Sequence, residues 1–296
     1  MTFKEEFKDF LDRNKISQNK AAEAAGYTGS VVSQWLSGNY KGDADGVEAA
    51  LRLWLEREKS RRATRAVPTM ETETMRRITN AIAIAHQERD IAVIVGPAGA
   101  GKTTALRRYV AENPNGAILI EVDDSINKVA LIQELANKLG LSRDGGHVEL
   151  VRRVAEALSE RDLVVIIDEA DYLNDGALEL CRRIVNDKGR SGLVLVGLQR
   201  LVYRIRSLKN DHEQLASRVG VLLEVESLKP VDAERIVLAV WPDLDKATVQ
   251  AMVKSANGSV RSLSKLIARA HLTAVANDKA EPDADVVRMA SALIFK

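Results

Sequence analysis

The sequence has little cysteine, few aromatic residues and no long apolar run. Cys181 is the one cysteine among 296 residues, so the chain has neither an intrachain disulfide framework nor the ligands of a cysteine-based zinc site. We expect Cys181 to be packed in a core. No apolar stretch approaches the roughly 18 residues of a transmembrane helix, and the charged start MTFKEEFKDF lacks the apolar segment of a signal peptide. The sequence therefore predicts a cytoplasmic protein with no membrane-bound part.

The chain also lacks a strong excess of charge of either sign. It carries 43 Lys and Arg against 42 Asp and Glu, a formal net charge of +1. This balance excludes a global field that attracts nucleic acid, so any basic surface must be local. Residues 182–218 contain such an excess, with nine basic and three acidic residues. Both a solvated or subunit-contacting face and a face that follows DNA phosphates remain open for this segment.

Length and periodicity divide the chain into several parts. A chain of 296 residues with 46% hydrophobic residues is too long for one small domain and can bury real cores. Residues 1–60 have helical periodicity and form a compact module, and residues 61–72 contain Pro68, have no periodicity and form a linker. Residues 73–228 alternate strand and helix, and residues 229–296 are helical throughout.

Five apolar, β-branched runs define the fold class of the central part. Helical patterns lie between these runs, an alternation typical of a parallel sheet with helices on both faces. The sequence therefore predicts an α/β fold with a helical module on each side of it in the chain. The expected strands are 91–95, 117–122, 163–168, 193–197 and 219–225.

The segment GPAGAGKTT follows the first predicted strand and opens a helix. It fills the pattern G-x-x-x-x-G-K-[ST] in the context that a phosphate-binding loop (P-loop) requires. Glycines let successive N–H groups point at an anion, and the helix N-terminus adds positive charge. We expect Lys102 to reach the β- and γ-phosphates of ATP and Thr103 to ligate Mg²⁺. The predicted nucleotide-binding residues of the loop are Gly96, Pro97, Ala98, Gly99, Ala100, Gly101, Lys102, Thr103 and Thr104.

The segment LVVIIDEAD supplies acidic partners for this loop. A buried strand carries Asp168 and Glu169 to its carboxyl end, where ligands of parallel sheets bind. We expect Asp168 to bind Mg²⁺ and Glu169 to orient and polarise an attacking water. The glutamate favours hydrolysis of ATP over binding alone, so the sequence predicts a magnesium-dependent ATPase.

These motifs and the helical C-terminal part together resemble the AAA+ ATPases. The resemblance implies an AAA+ P-loop sheet with a C-terminal helical lid, and it implies roles for three further side chains. Gln199, after the fourth strand, stands near the place of a nucleotide sensor, although it is offset from the common position. Arg218, just before the fifth strand, matches a catalytic finger inserted into the neighbouring subunit. Arg261, at the start of a lid helix, matches a second sensor.

The segment SQNKAAEAAGYTGSVVSQWLSG resembles a helix-turn-helix of the phage-repressor type. We expect Val31 and Leu36 to point inward, with Trp35 in the same core. The outward residues could meet bases and phosphates, although a module that docks on protein instead of DNA is the open alternative. The predicted DNA contacts of this module are Thr28, Ser30, Ser33, Gln34, Asn39, Tyr40 and Lys41.

A repressor-like N-terminal module, a short linker, a minimal AAA+ part and a helical lid together resemble the transposition protein B family of phage Mu. The resemblance implies a protein that assembles with ATP as a ring or helical filament on double-stranded DNA and stimulates a transposase. Related ATPases carry a DNA-facing loop after the second strand, which makes Lys128 a further candidate DNA contact. An ATPase-controlled helix-turn-helix transcriptional regulator is the alternative, and an ATPase that uses its N-terminal helices as a protein interface is a third possibility.

Overall fold

The computed structural model describes residues 2–63, 69–207 and 213–293. The first range contains the helices α1 (Phe3–Arg13), α2 (Gln18–Ala24), α3 (Gly29–Leu36) and α4 (Ala44–Ala63). Side-chain caps fix the starts of the first three, because Thr2, Ser17 and Thr28 each accept a hydrogen bond from the backbone N–H three residues further on. The short α2 and α3 follow each other across a tight turn, as the sequence predicts.

The few aromatic residues of the chain are concentrated in the core of this N-terminal module. Phe7 is completely buried, and its ring lies 6.5 Å from the Trp35 ring and 5.8 Å from the Trp54 ring, edge-on in both pairs. Full burial of such a side chain contributes roughly 1.5–3 kcal/mol. These rings join α1, α3 and α4 into one core.

The prediction for the buried face of α3 is confirmed for Trp35 and in part for Val31 and Leu36, which pack against the same core. Val32 and Trp35 are the buried residues, with 0% and 3% of their surface exposed. Val31 and Leu36, which were expected to point inward, are only partly buried at the edge of the core. Residues three apart share a helix face, and the face that meets α1 and α4 is the one that carries Val32 and Trp35.

Helix boundaries near the predicted linker differ from the expectation. Helix α4 runs to Ala63, and α5 (Glu73–Glu88) starts after Thr72, whose side chain caps it. The helical pattern therefore extends beyond residue 60. Residues 64–68, which include Pro68, lie outside the described residues, so the linker at 61–72 stays a prediction there.

The central part alternates strands and helices. Its strands are β1 (Ile91–Val95), β2 (Ala117–Glu121), β3 (Val164–Asp168), β4 (Gly192–Gly197) and β5 (Val219–Glu224). Its further helices are α6 (Lys102–Glu112), α7 (Lys128–Lys138), α8 (His147–Ser159), α9 (Asp175–Cys181), α10 (Gln199–Ser207) and α11 (Glu213–Ala216). A 3₁₀ turn covers Ala170–Tyr172, and a π-helical stretch, Arg182–Lys188, follows α9.

The five strands form one parallel sheet in the order β2-β3-β4-β1-β5. Strand β4 lies between β1 and β3, with Val95 in register with Gly197 and Ile167 with Leu195. The two strands that carry the nucleotide motifs therefore end on either side of β4. This order brings the loop after β1 and the acidic segment after β3 to the same edge of the sheet.

Both faces of the sheet are covered by helices, as the sequence predicts. Ile91, Val93 and Val95 point into the core that contains α7–α9. Ala92 and Ile94 point into the opposite core, with α5 and α6. All five residues of β1 are buried, which explains the continuous apolar run in the sequence.

The helices α12 (Pro230–Val240), α13 (Lys246–Ala256), α14 (Val260–Ala276) and α15 (Ala284–Ala292) form a separate core. The completely buried Trp241 belongs to it. We call these helices the lid. Met70, from the segment before α5, packs against this core, and the backbone N–H of Glu73 donates to Asp232 Oδ2 at 3.1 Å. The segment that precedes the sheet is thereby attached to the lid.

Cys181 is buried, and desolvation raises the pKa of its thiol to about 12, so the prediction of a packed cysteine is confirmed. No helix in the described ranges has both the length and the apolarity needed to cross a membrane.

Candidate nucleotide site

The predicted phosphate-binding loop joins β1 to α6. Gly99 and Gly101 have φ values of +79° and +92°, which side chains other than glycine rarely adopt. Gly96 is needed for a different reason, because a Cβ there would lie 2.4 Å from a methyl carbon of Val225 and 2.5 Å from its carbonyl oxygen. The loop is held close to the end of β5 and opens directly onto the N-terminus of α6.

Lys102 is the first residue of α6 and is 91% buried. Its Nζ donates to the carbonyl oxygens of Gly96 at 2.8 Å and Pro97 at 3.1 Å. Burial lowers the pKa of this ammonium, while the nearby carboxylates of Glu169, Asp168 and Asp171 act in the opposite direction. The cation is held inside the curve of the loop, where phosphate groups would replace the carbonyl oxygens as its partners.

Thr103 and Asp168 meet at the carboxyl edge of the sheet. The Thr103 hydroxyl donates to Asp168 Oδ2 at 2.7 Å, and Asp168 is buried. The described residues contain no cluster of three or more His, Cys, Asp or Glu suited to a metal ion. A hydroxyl and a carboxylate fit Mg²⁺, which uses one or two protein ligands together with phosphate oxygens and water. The donor set therefore fits a magnesium ion that arrives with a nucleotide.

Glu169 follows β3 with a strained backbone. Its φ of +56° lies in the left-handed region, which costs energy for a residue other than glycine and is found at functional sites. Burial, followed by the charges of Asp168 and Asp171, raises the pKa of Glu169, whereas Lys102 and Arg261 oppose the shift. The result is a more basic carboxylate at the wall of the cavity.

A cavity of about 520 Å³ opens in front of the loop, and this size suits a small-molecule site. It is lined by loop residues, by Glu169 and by lid residues that include Arg261 and Lys265. The backbone N–H of Val260 donates to the carbonyl oxygen of Gly99 at 2.8 Å. The lid therefore touches the phosphate-binding loop directly, and the predicted Arg261 lies beside Lys102 and Glu169 closely enough to affect both of their pKa values.

A smaller cavity of about 140 Å³ shares Gly101 and Thr104 with the first. Met70, Met75 and Ile236 contribute apolar side chains to its wall. The segment before α5 and the lid together enclose it. An apolar pocket beside a phosphate site is suited to a flat nucleobase, and no feature of the sequence had indicated these residues.

Asp171 is a buried carboxylate that the sequence interpretation passed over. It accepts hydrogen bonds from the backbone N–H of Leu198 at 3.1 Å and from Arg200 Nε at 2.5 Å. It thereby ties the acidic segment after β3 to the segment after β4. The sequence feature that could have indicated Asp171 is its place in the run DEAD, which contains three carboxylates within four residues.

The structure separates the other two residues that the AAA+ resemblance suggested. Gln199 begins α10, and Leu198 takes its place among the residues that line the cavity. Arg218 lies just before β5, half exposed, with its Nη1 3.6 Å from Asp187 Oδ1. It is outside the cavity of its own chain, as a residue that serves a neighbouring subunit must be. Both roles stay predictions.

The predicted DNA contacts lie at the surface of the N-terminal module. Tyr40 is partly buried against the module's core, and its contact with DNA stays a prediction like the others. The Thr28 hydroxyl caps α3 and lies 2.9 Å from the Ser30 hydroxyl. The exposed members are Thr28, Ser30, Ser33, Gln34, Asn39 and Lys41.

Lys128 is the exposed first residue of α7. Its side chain passes over Gly176 in α9, where a Cβ would come within 2.3 Å of the Lys128 Nζ. The segment after β2 therefore adjoins the start of α9, and Lys128 stays a predicted DNA contact.

Part of the basic excess in residues 182–218 is paired within the fold. Arg182 is buried and pairs with Glu179 and Asp187. Arg200 pairs with Asp171, and Arg204 pairs with Asp175. Lys209 and Asp211 lie outside the described residues. Both alternatives stay open for the remaining basic residues of the segment.

The chain is similar to phage and prophage transposition proteins over about nine-tenths of its length. The family model of the AAA domain matches residues 85–205. The Mu-like prophage FluMu DNA transposition protein B of Haemophilus influenzae is 28% identical over 279 residues, which cover 90% of this chain and 96% of that protein. The ATP-dependent target DNA activator B of Escherichia phage Mu is 27% identical over 273 residues, which cover 89% and 86%.

Two solved structures have the same fold. The ORC2 protein of Aeropyrum pernix, in ADPNP and ADP complexes, has a TM-score of 0.60 and 17% identity, covering 78% of this chain and 71% of that one. The RuvB Holliday junction branch migration motor of Thermotoga maritima has a TM-score of 0.53 and 20% identity, with 78% and 73% covered. These similarities show an AAA+ fold, as the sequence predicts.

Proposed function

From the chain's identity as an AAA-domain protein, homologous over about nine-tenths of its length to transposition protein B of Mu-like phages, we propose an ATP-dependent DNA-binding function. Oligomers of the chain bind double-stranded DNA and activate it as a target for a transposase. The observation that carries the proposal is the cavity at the carboxyl edge of the sheet. There Thr103, Asp168 and Glu169 lie beside Lys102, with Arg261 of the lid facing them.

The residues of this cavity are suited to hold ATP and magnesium. The loop N–H groups and Lys102 would bind the phosphates, and the cavity near Met70 and Ile236 would take the base. Thr103 and Asp168 would hold Mg²⁺ together with phosphate oxygens. When bound, the ion supplies charge neutralisation for the phosphates.

Hydrolysis needs a base and a cation near the γ-phosphate. Glu169 accepts a proton from a water whose oxygen bonds to the γ-phosphorus, while the bond to the bridging oxygen breaks and ADP keeps that oxygen. The basic carboxylate of Glu169 favours this transfer. Arg261 adds positive charge from the lid, so closure of the lid on the loop and catalysis are coupled through the Val260–Gly99 hydrogen bond.

Assembly would complete the site. Arg218 is half exposed and outside its own cavity, and a guanidinium supplied by a neighbour stabilises charge on a transferring phosphoryl group. ATP bound between subunits then links assembly to DNA binding, a coupling between two distinct sites. Repeated copies of the N-terminal module and of Lys128 contribute many weak DNA contacts that add through avidity.

Electron microscopy of the protein with duplexes of several unrelated sequences, in the presence of non-hydrolysable ATP, tests this proposal. We expect rings or filaments that coat every duplex and that are absent without nucleotide. Binding confined to one sequence would favour the transcriptional regulator instead. Absence of DNA binding in every nucleotide state would contradict the proposal.

A further inference from the structure

A second cavity adjoins the nucleotide cavity on the side of the lid. It has a volume of about 350 Å³ and shares Ala98, Gly99, Arg261 and Lys265 with the first cavity. Since Ala98 and Gly99 form the tip of the phosphate-binding loop, the two cavities adjoin at that tip. Its other lining residues are Ser259, Ser262, Arg269 and Leu293.

Three basic side chains form a row from one cavity to the other. Arg261, Lys265 and Arg269 are spaced four residues apart on α14, so they share one face of the helix and rise about 6 Å at each step. Arg261 and Lys265 line both cavities. Arg269 lines the second cavity but not the first. The row leads away from the phosphate-binding loop.

The cations of this row form no ion pair within the described part of the chain, although Arg261 also faces Glu169 in the first cavity. None of its three cations forms an ion pair with a described carboxylate, and no acidic residue lines the second cavity. Arg269 Nη1 donates to the carbonyl oxygen of Leu293. The buried Arg182, by contrast, pairs with two carboxylates, those of Glu179 and Asp187. Unpaired cations that converge on a cavity create a local positive potential.

The hydroxyl groups of the cavity add hydrogen-bond donors. The Ser259 Oγ accepts from the backbone N–H of Ser262 at 3.1 Å, so its own proton is free to donate to a ligand. Guanidinium, ammonium and hydroxyl donors in a cavity whose own lining contains no acidic residue match a small oxyanion. We assign the nucleobase to the apolar cavity beside Met70 and Met75, which leaves the second cavity for another ligand.

We propose that the second cavity binds the inorganic phosphate that ATP hydrolysis releases, with Lys265 and Arg269 as its principal cations. The inference rests on the proposed ATPase function, because hydrolysis in the first cavity is the source of the ion. Phosphate held there contacts the lid while the Val260–Gly99 hydrogen bond joins the lid to the loop. When phosphate leaves, the lid is released. The rate of phosphate release from the second cavity therefore sets the rate at which the nucleotide cavity opens.

Inhibition of hydrolysis by added inorganic phosphate, in the presence of ADP, measures this site in the full-length protein. Arg269→Gln is expected to weaken phosphate inhibition about tenfold, the value for loss of one charge-assisted hydrogen bond. Its affinity for ATP should stay within about twofold of wild type, as Arg269 lies outside the first cavity. Release of phosphate in a single turnover, followed with a fluorescent phosphate sensor, should become faster.

Two further variants separate the effect of the Arg269 charge from a general effect on the lid. Arg269→Lys keeps the charge and should retain most of the inhibition, whereas Arg269→Gln keeps an N–H donor for the Leu293 carbonyl and loses only the charge. Arg288→Gln is the matched control, because Arg288 is an exposed lid arginine paired with Asp285 and lies outside both cavities. It should behave as wild type.

Unchanged phosphate inhibition in Arg269→Gln would overturn the inference while leaving the ATPase intact. A loss of duplex DNA affinity in this variant, with phosphate inhibition unchanged, would assign the row to the nucleic-acid backbone and also overturn it. If the wild-type protein binds no ATP, the proposed ATPase function is wrong, and the inference is wrong with it. That result differs from the two above, in which ATP is still hydrolysed.

Discussion

The nucleotide cavity and the exposed face of α3 differ in how their polar side chains are held. In the cavity, Thr103 donates a hydrogen bond to Asp168, and Lys102 donates hydrogen bonds to two loop carbonyls. On α3, Ser33 and Gln34 are exposed. Groups that the fold holds in place can stabilise a transition state without reorganisation. Exposed groups on a helix each form a separate contact with a partner. Large single-residue effects therefore belong to the cavity and its neighbours, and small cumulative effects to the helix.

The largest effect is expected at a residue outside both regions. Arg218→Ala should lower hydrolysis by about 10³-fold or more, the range for loss of a catalytic arginine, while ATP affinity is kept. Assembly on DNA should be lost as well. Mixing this variant with Lys102→Ala should restore some activity, because one intact loop and one intact arginine can meet at a subunit boundary. Steady-state ATPase assays and electron microscopy measure both properties.

The mixing experiment also separates this role from an internal one. If Arg218 served only as the partner of Asp187 in its own chain, mixing Arg218→Ala with Lys102→Ala would restore nothing. Normal assembly and wild-type hydrolysis in Arg218→Ala would remove the residue from the mechanism.

Glu169→Gln tests the chemistry of the cavity itself. Hydrolysis should fall by about 10²–10⁴-fold, the contribution of a general base, with ATP still bound, because the amide cannot take the proton of water. Phosphate release reports the rate, and equilibrium titration reports the affinity. Glu160→Gln, in an exposed residue after α8, is the control. Turnover at the wild-type rate would exclude Glu169 as the base.

Lys102→Ala tests binding in the same cavity. The affinity for ATP should fall about 100-fold, since a charged hydrogen bond to phosphate contributes roughly 1.5–3 kcal/mol. Labelled nucleotide in an equilibrium assay measures it, and Lys138→Ala, at an exposed site paired loosely with Glu134, should change nothing. Equal affinity in Lys102→Ala and wild type would refute the assignment of the loop.

The smallest effect is expected on the N-terminal module. Lys41→Gln should weaken duplex binding by only a few-fold and lower the salt slope by about 1, as for loss of one phosphate contact. Titrations at several salt concentrations measure both quantities. Arg13→Gln, an exposed residue paired with Asp9, is the control. An unchanged affinity and slope would favour a protein-docking role for the module.

Much of the central fold follows from local sequence. All five predicted runs coincide with the observed strands to within one residue at each end, because each is a continuous β-branched segment bounded by turn residues. The P-loop pattern is equally local, and Gly99 and Gly101 have the left-handed backbone that glycine adopts easily. Gly96 adds a requirement that no local pattern shows, namely its close approach to Val225.

Features that depend on tertiary contacts were beyond the sequence. The place of β4 between β1 and β3 is a matter of sheet order, which spacing does not encode. The π-helical stretch Arg182–Lys188 contains the buried Arg182, whose carboxylate partners are known only once the chain is folded. Lys265 lines the cavity because α14 starts at the loop tip. A lysine in a helical pattern does not by itself indicate that its side chain lines a cavity.

The affinity for duplex DNA in three nucleotide states tests the central claim most directly. A labelled duplex of arbitrary sequence is titrated with the full-length protein in the presence of non-hydrolysable ATP, of ADP, or of no nucleotide. The account predicts tight binding with the ATP analogue, weak binding in the other two states, and no response to nucleotide in Lys102→Ala. Equal DNA affinity in all three states would contradict the claim that the nucleotide cavity controls DNA binding.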